Sequence, residues 1–152
     1  MRNKLEIPGA AQWSGYEADL DVRDAHRMMF GKSIEEVQQY FGDVRSISRA
    51  DELLFMPRGA FQYYVLAFAA FLKSERAHGD PDSASSFLQL LLAREERDPR
   101  SVACIYDELA PVVELVAQNQ SRFAADPRIY GVFGELAATL RQACELALRN
   151  PT

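Results

Sequence analysis

A long apolar run lies between residues 60 and 72, and Gln62 is its one polar residue. At 3.6 residues per turn the run is apolar nearly all the way round, which is typical of a helix buried inside a protein. It is shorter than the roughly 20 residues that a membrane-spanning helix needs, and charged residues follow at once. We therefore predict a central buried helix over residues 57–78, with Pro57 in its first turn and Gly79 closing it.

Shorter segments precede this helix. Residues 1–15 carry proline and glycine without helical periodicity, so we expect an extended lead-in that Trp13 pins to the core. Apolar positions recur at helical spacing over residues 16–30. A Ser-x-x-Glu capping box predicts a short helix over residues 33–41. Residues 43–56 fit either a loop or a short extended piece, and the pattern does not choose between them.

In the second half of the chain, an Asp-Pro pair precedes an amphipathic segment at three places. The pairs occupy residues 80–81, 98–99 and 126–127. Asp is a strong N-cap, and proline fits the first helical position because its missing N–H would have no partner there. We therefore predict that each pair begins a helix. The first of these, over residues 81–97, should form a tight hairpin with the central helix.

The two later helices carry long apolar stripes. In the helix predicted after residues 98–99, the apolar positions stay on the same face before and after Pro111. This continuity predicts a kink at Pro111 rather than a break. The second ends at Asn150-Pro151, and its Gly131 and Gly134 would let a neighbouring helix approach closely. Together the segments predict an all-α, single-domain helical bundle of about six helices around the central one, spanning residues 1–152.

The charge balance narrows the class of partner. Asp and Glu number 22 against 17 Lys and Arg, which gives a net charge of −5. A general nucleic-acid binder neutralises phosphates with basic residues, so we predict no nucleic-acid partner, whereas a basic protein is compatible with this balance. No apolar stretch follows the basic residues at the N-terminus. We therefore expect no signal peptide, no membrane anchor and a cytoplasmic location.

The residues that might bind a metal or carry catalysis form no complete motif. Glu75 and His78 have the Glu-x-x-His spacing of di-iron bundles, but the chain has no second such pair. Cys104 and Cys144 lie on apolar helical faces, and we predict packed, reduced thiols. No Gly-x-Ser-x-Gly elbow or glycine-rich phosphate loop occurs. We predict no catalytic residue, no metal site and no cofactor.

Two groups of residues stand out as candidate sites. Acidic residues of the first helix and of the 43–56 segment would form a negative patch if these segments are adjacent, and such patches attract basic partners. This partner-binding group consists of Glu17, Asp21, Asp24, Asp51 and Glu52. The alternative site is a ligand pocket beside Tyr63 and Tyr64. A solvated helix face and a solid aromatic core are the competing interpretations of the two groups.

A stretch of the chain resembles small bacterial proteins of unknown function. The shared pattern is an Asp-Leu pair, aromatic residues, a Tyr-Tyr pair and an Ala-Phe pair. It is carried by residues 51–56 and 60–68, after a helix that begins near residue 31. The resemblance covers residues 30–72 and departs at Leu66, where the pattern has proline. It implies no activity, site or ligand.

The leading hypothesis is a non-enzymatic bacterial cytoplasmic protein that acts by binding another protein. An immunity-type, toxin-neutralising protein is its most concrete form, because the chain is small, acidic and without a catalytic motif. The alternative is a small-molecule binder or enzyme that uses the pocket beside Tyr63 and Tyr64. A homodimer built on the face of Gly131 and Gly134 is a third hypothesis.

Overall fold

The protein is an all-α bundle, as the hydrophobic pattern predicts. The computed structural model describes residues 6–150, and no strand occurs among them. The α-helices are α1 (Leu20–Met29), α2 (Ile34–Gln38), α3 (Val44–Phe55), α4 (Arg58–Lys73), α5 (Pro81–Arg97), α6 (Tyr106–Gln118), α7 (Pro127–Tyr130) and α8 (Phe133–Arg149). No helix of this described range is both long enough and apolar enough to cross a membrane.

Helix α4 is the centre of the bundle. Ten of its 16 residues are buried, and it packs against α2, α3, α5 and α6. The ring of Phe68 lies 4.5 Å from that of Phe41 and 5.3 Å from that of Phe87, measured between ring centroids. The predicted central helix is therefore confirmed, although it is shorter than residues 57–78. It ends at Lys73, and a 3₁₀ turn follows over Glu75–Ala77.

The lead-in is folded back on the bundle rather than extended. Residues 10–15 form turns, and the Trp13 side chain is fully buried, with its ring centroid 5.9 Å from that of Tyr64. Trp13 therefore pins this segment to the core, as predicted. Residues 1–5 of the predicted lead-in, and Pro151 at the predicted end of the last helix, lie outside the described residues.

Residues 43–56, which fitted either a loop or an extended piece, form helix α3. Its inner face is buried at Ser46 and Leu53, seven residues or two turns apart. The buried position at Ser46 is polar, so the apolar period of a helix is interrupted in the sequence. The Ser46 hydroxyl accepts from the Gly42 amide at 2.9 Å and lies 2.6 Å from the Ser83 hydroxyl of α5. This hydrogen bonding allows a serine to occupy a core position.

Two of the three Asp-Pro pairs begin helices. The Asp80 carboxylate accepts from the Ser83 amide at 3.1 Å, and the Asp126 carboxylate accepts from the Arg128 amide at 2.9 Å. The prediction was wrong for the pair at residues 98–99, because Asp98 is the C-cap of α5. Helix α6 begins later, at Tyr106, after a 3₁₀ turn over Ala103–Ile105.

The segment between α5 and α6 is held by Glu95 instead of Asp98. The buried Glu95 carboxylate accepts from the amides of Arg100, Val102 and Ala103 at 2.6, 3.0 and 2.9 Å. A carboxylate on the preceding helix therefore supplies the cap that the Asp-Pro pair was expected to give. Helix α6 then continues through Pro111, as the unbroken apolar phase predicts.

The predicted last helix is divided in two. Helix α7 ends at Tyr130 and is capped by Gly131, whose φ of 78° is in the left-handed region that glycine favours, and α8 begins at Phe133. The predicted close approach was also wrong, since an added Cβ at Gly131 or Gly134 would meet no atom within 4 Å. Both glycines face open space, and a homodimer at this face stays a prediction.

Candidate functional site

The structure brings most of the acidic group together. Helices α1 and α3 pack against each other, which places Asp21 and Asp24 of α1 beside α3. Both side chains are exposed, as is that of Asp51 on α3. Glu17 is also exposed and lies in a 3₁₀ turn, Tyr16–Ala18, that packs against α1. The adjacency on which the acidic patch depended is therefore present.

Glu52 differs from the other members of this group because it is buried, with 6% of its surface exposed. Its carboxylate pairs with the Arg49 guanidinium, and Arg49 Nη2 donates to Glu52 Oε2 at 2.8 Å. Burial raises the pKa of Glu52, Arg49 opposes that rise, and the Asp21 and Asp24 carboxylates add to it. Glu52 thus lies within electrostatic reach of α1 but is neutralised by Arg49 and offers little surface to a partner.

An apolar strip runs along the outer face of α3, and the sequence reasoning did not identify it. Val44 and Ile47 are 67% and 43% exposed, and Leu54 is half-buried. At 100° per residue these three side chains and Asp51 fall on one face of the helix. The signal was available in the sequence, but it could be found only after residues 43–56 were identified as a helix.

The apolar strip continues into a shallow groove between α3 and α5. The groove has a volume of about 220 Å³ and is lined by Ile47, Asp51 and Leu54 from α3 and by Leu90 from α5, among others. On the outer face of α3, the carboxylate of Asp51 therefore adjoins apolar side chains. We call the α1–α3 surface the group formed by Asp21, Asp24, Val44, Ile47, Asp51 and Leu54.

The hydroxyl of Tyr64 is enclosed by the protein itself. It donates to the carbonyl oxygens of Met29 and Lys32, at 2.8 and 2.9 Å, and the side chain is fully buried. Burial raises the pKa of Tyr64 well above its usual value. Tyr64 therefore fastens the end of α1 to the central helix, and its hydroxyl is already engaged by backbone.

Tyr63 borders a small cavity. The cavity has a volume of about 240 Å³, and its lining includes Tyr63, Gln62, Gln12 and Pro8. The Tyr63 hydroxyl accepts from the Ile34 amide at 3.2 Å, which ties α2 to α4. This volume is below the range of about 300–1,000 Å³ that is usual for small-molecule sites. Of the two predicted pocket tyrosines, the structure places Tyr63 alone at this cavity.

The two cysteines occupy different environments. Cys144 is buried on α8, and burial raises its pKa to about 12. Cys104 is exposed, in the 3₁₀ turn before α6. The prediction of a packed thiol was wrong for Cys104, because this residue lies in a turn rather than on the apolar face of a helix. Both thiols are free.

The Glu-x-x-His pair lies in solvent. His78 Nδ1 is 3.7 Å from Glu75 Oε2, and both side chains are exposed. Within residues 6–150, no group of three or more His, Cys, Asp or Glu side chains is arranged to hold a metal ion.

Fold and surface together define the class of protein: an all-α helical bundle with an acidic and apolar surface on two adjacent helices. No family model matches the chain, and no curated protein or solved structure does so either.

Proposed function

We propose that this protein binds a basic protein partner through the α1–α3 surface. One observation carries the proposal: exposed apolar and acidic side chains meet on α3. Val44, Ile47 and Asp51 lie on successive turns of the same helix face, and all three are exposed. Apolar side chains supply affinity once water is removed, and surrounding carboxylates attract and orient a positively charged partner. The net charge of −5 also favours a positively charged partner.

An immunity-type role is the most specific form of the proposal. A toxin-neutralising protein acts by covering a surface of its target, so it needs a stable scaffold and a complementary face rather than catalytic groups. In this form the protein is bacterial and cytoplasmic, and its target carries a basic surface.

Capture from a lysate of the source cell, with matched variants, tests the proposal. The double variant Asp21→Asn/Asp51→Asn removes two exposed carboxylates from the surface. The control Glu96→Gln/Glu135→Gln removes two exposed carboxylates elsewhere. We expect the wild type and the control to retain the same partner at low salt and the double variant to lose most of it, because long-range attraction depends on local charge.

The apolar part of the surface is tested separately. Ile47→Ser should abolish retention, whereas Ile129→Ser, at a position that is 74% exposed on α7, should leave it unchanged. Equal retention by all variants, or retention of no protein by the wild type, would contradict the proposal.

The cavity beside Tyr63 supports a second candidate function, the binding of a small molecule. Gln12 and Gln62 line it and offer amide donors and acceptors. Its volume of about 240 Å³ suits a compact polar ligand. Screening a metabolite set by thermal shift tests this candidate; a ligand that stabilises the wild type but not Gln62→Leu supports it, and stabilisation of neither excludes it for that set.

A further inference from the structure

A polar cavity lies at the N-terminal end of the central helix, and none of the residues that define the α1–α3 surface lines it. Its volume is about 520 Å³, and three arginines, Arg58, Arg94 and Arg97, line it together with Asp98. Three guanidinium groups therefore share the cavity with one carboxylate. Such an excess of positive charge is notable in a protein whose net charge is −5.

Asp98 holds two of the three arginines in place. Its Oδ2 accepts from Arg58 Nε and from Arg94 Nη2, each at 3.1 Å. The hydrogen bond from Arg58 lowers the pKa of Asp98, so this carboxylate is ionised at neutral pH. Because one carboxylate is shared by two guanidinium groups, both arginines are positioned while the cavity keeps a net positive charge.

Arg97 has no carboxylate partner within residues 6–150. Its guanidinium lies over the ring of Phe55, 4.4 Å from the ring centroid, and its side chain is exposed. Stacking on an aromatic ring leaves the N–H groups at the edge of the guanidinium available to donate hydrogen bonds to an anion.

Arg94 adds an independent observation. It is 4% exposed, and its Nη1 donates to the carbonyl oxygens of Leu53 and Met56 at the end of α3. Its Nε is buried and has no hydrogen-bond partner. Arg94 is therefore fixed in place by backbone, and it adds its positive charge to the cavity that it lines.

Three helix termini meet at this cavity, because α4 begins there, whereas α3 ends at Phe55 and α5 ends at Arg97. Arg58 is the first residue of α4, a helix of 16 residues that starts without a side-chain cap and without an acidic residue in its first turn. The N-terminus of α4 favours anions and the two C-termini oppose them, so the arginines supply the net positive charge of the cavity.

We propose that this cavity binds the phosphate group of a small phosphorylated molecule, held by Arg58, Arg94 and Arg97. A tetrahedral oxyanion accepts hydrogen bonds in several directions, which suits guanidinium groups that come from two helices. The cavity is larger than a phosphate group, so it has room for the body of a small phosphate ester. This site is separate from the proposed protein interface and does not depend on it.

Calorimetric titration of the full chain at low ionic strength tests the assignment, with inorganic phosphate and glycerol phosphate as probes and acetate as the carboxylate comparison. Arg97→Gln removes an exposed side chain that makes no ion pair within the described range, and circular dichroism checks that the fold is kept. Lys73→Gln is the charge-matched control, because Lys73 is exposed at the opposite end of α4.

The wild type and Lys73→Gln should have the same affinity as each other for each phosphate probe. Both proteins should bind acetate more weakly than phosphate. Arg97→Gln should bind phosphate about tenfold more weakly or worse, as expected for the loss of a charge-assisted hydrogen bond. Absence of phosphate binding, an affinity that is unchanged in Arg97→Gln, or acetate binding as tight as phosphate binding would overturn the assignment.

Discussion

At the scale of single residues, buried charged groups hold the segments that join the helices. The Glu95 carboxylate accepts hydrogen bonds from three backbone amides before α6. The Arg94 guanidinium donates to three carbonyl oxygens at the end of α3. Both residues belong to the last turn of α5, and both are at least nine-tenths buried. The C-terminal end of α5 is therefore a polar junction that orients both neighbouring helices.

Removal of the Glu95 carboxylate should destabilise the folded protein. Glu95→Ala leaves three buried amides without their acceptor, and we expect a loss of about 2–4 kcal/mol in the free energy of unfolding. Glu96→Ala, at the adjacent exposed position, should change it by less than about 0.5 kcal/mol. Urea unfolding of the two variants checks this prediction, and equal losses in both would contradict the capping role of Glu95.

Asp98 gives a prediction on pH dependence. Its folded pKa is lowered by Arg58, so its stabilising contribution is present above the ordinary value of 3.8 and is lost as the pH falls through the lowered pKa. Asp98→Asn should lower stability by about 1–2 kcal/mol at neutral pH. The difference in melting temperature between wild type and variant should shrink as the pH falls below 3.8.

The exposed Asp51 supplies the comparison for this measurement. Asp51→Asn should give a melting curve close to that of the wild type at every pH, because Asp51 has no ion pair within residues 6–150. A difference for Asp98→Asn that stays constant down to acid pH would show that the Asp98 carboxylate does not act through its charge.

The two thiols should differ in reactivity. Cys104 is exposed, whereas Cys144 is buried with a pKa raised to about 12. A thiol reagent added to the native protein should therefore modify one cysteine per chain rapidly and the second after denaturation. Cys104→Ser should remove the rapid phase, and Cys144→Ser should keep it. A rapid phase that survives in Cys104→Ser would contradict the structure.

At the scale of helices, the sequence predicts those elements whose signal is local. The apolar run of α4 and the Asp caps of α5 and α7 depend on neighbouring residues, and all three are confirmed. Helix α3 and the start of α6 depend on distant partners. Ser46 is satisfied by Ser83, and the amides before α6 are satisfied by Glu95 of the previous helix. A linear pattern does not show such pairings.

For the α1–α3 surface, too, the sequence shows local properties but not those that depend on packing. The exposed acidic residues Asp21, Asp24 and Asp51 could be selected from the sequence because charge is a property of each residue. The burial of Glu52 and the exposure of Val44 and Ile47 could not, because burial and exposure depend on how α3 packs on α1 and α5. The arginine cavity likewise combines residues some 40 positions apart in the chain, Arg58 and Asp98.

At the scale of the whole molecule, charge and apolar surface are distributed unevenly. The α1–α3 surface combines carboxylates with exposed apolar side chains, whereas the cavity at the start of α4 concentrates arginines. The core around α4 is closed by aromatic packing at Phe68. One scaffold thus presents two sites of opposite charge, which we assign to partners of different chemistry.

Site-specific photo-crosslinking in the source cell tests the protein-binding proposal most directly. A photoreactive amino acid is placed at Ile47 in one variant and at Ile129 in the other. Ile129 is 74% exposed against 43% for Ile47, so random collisions would favour position 129. We predict a discrete protein adduct at position 47 and none at position 129. Adducts of equal intensity at both positions, or none at position 47, would contradict the account.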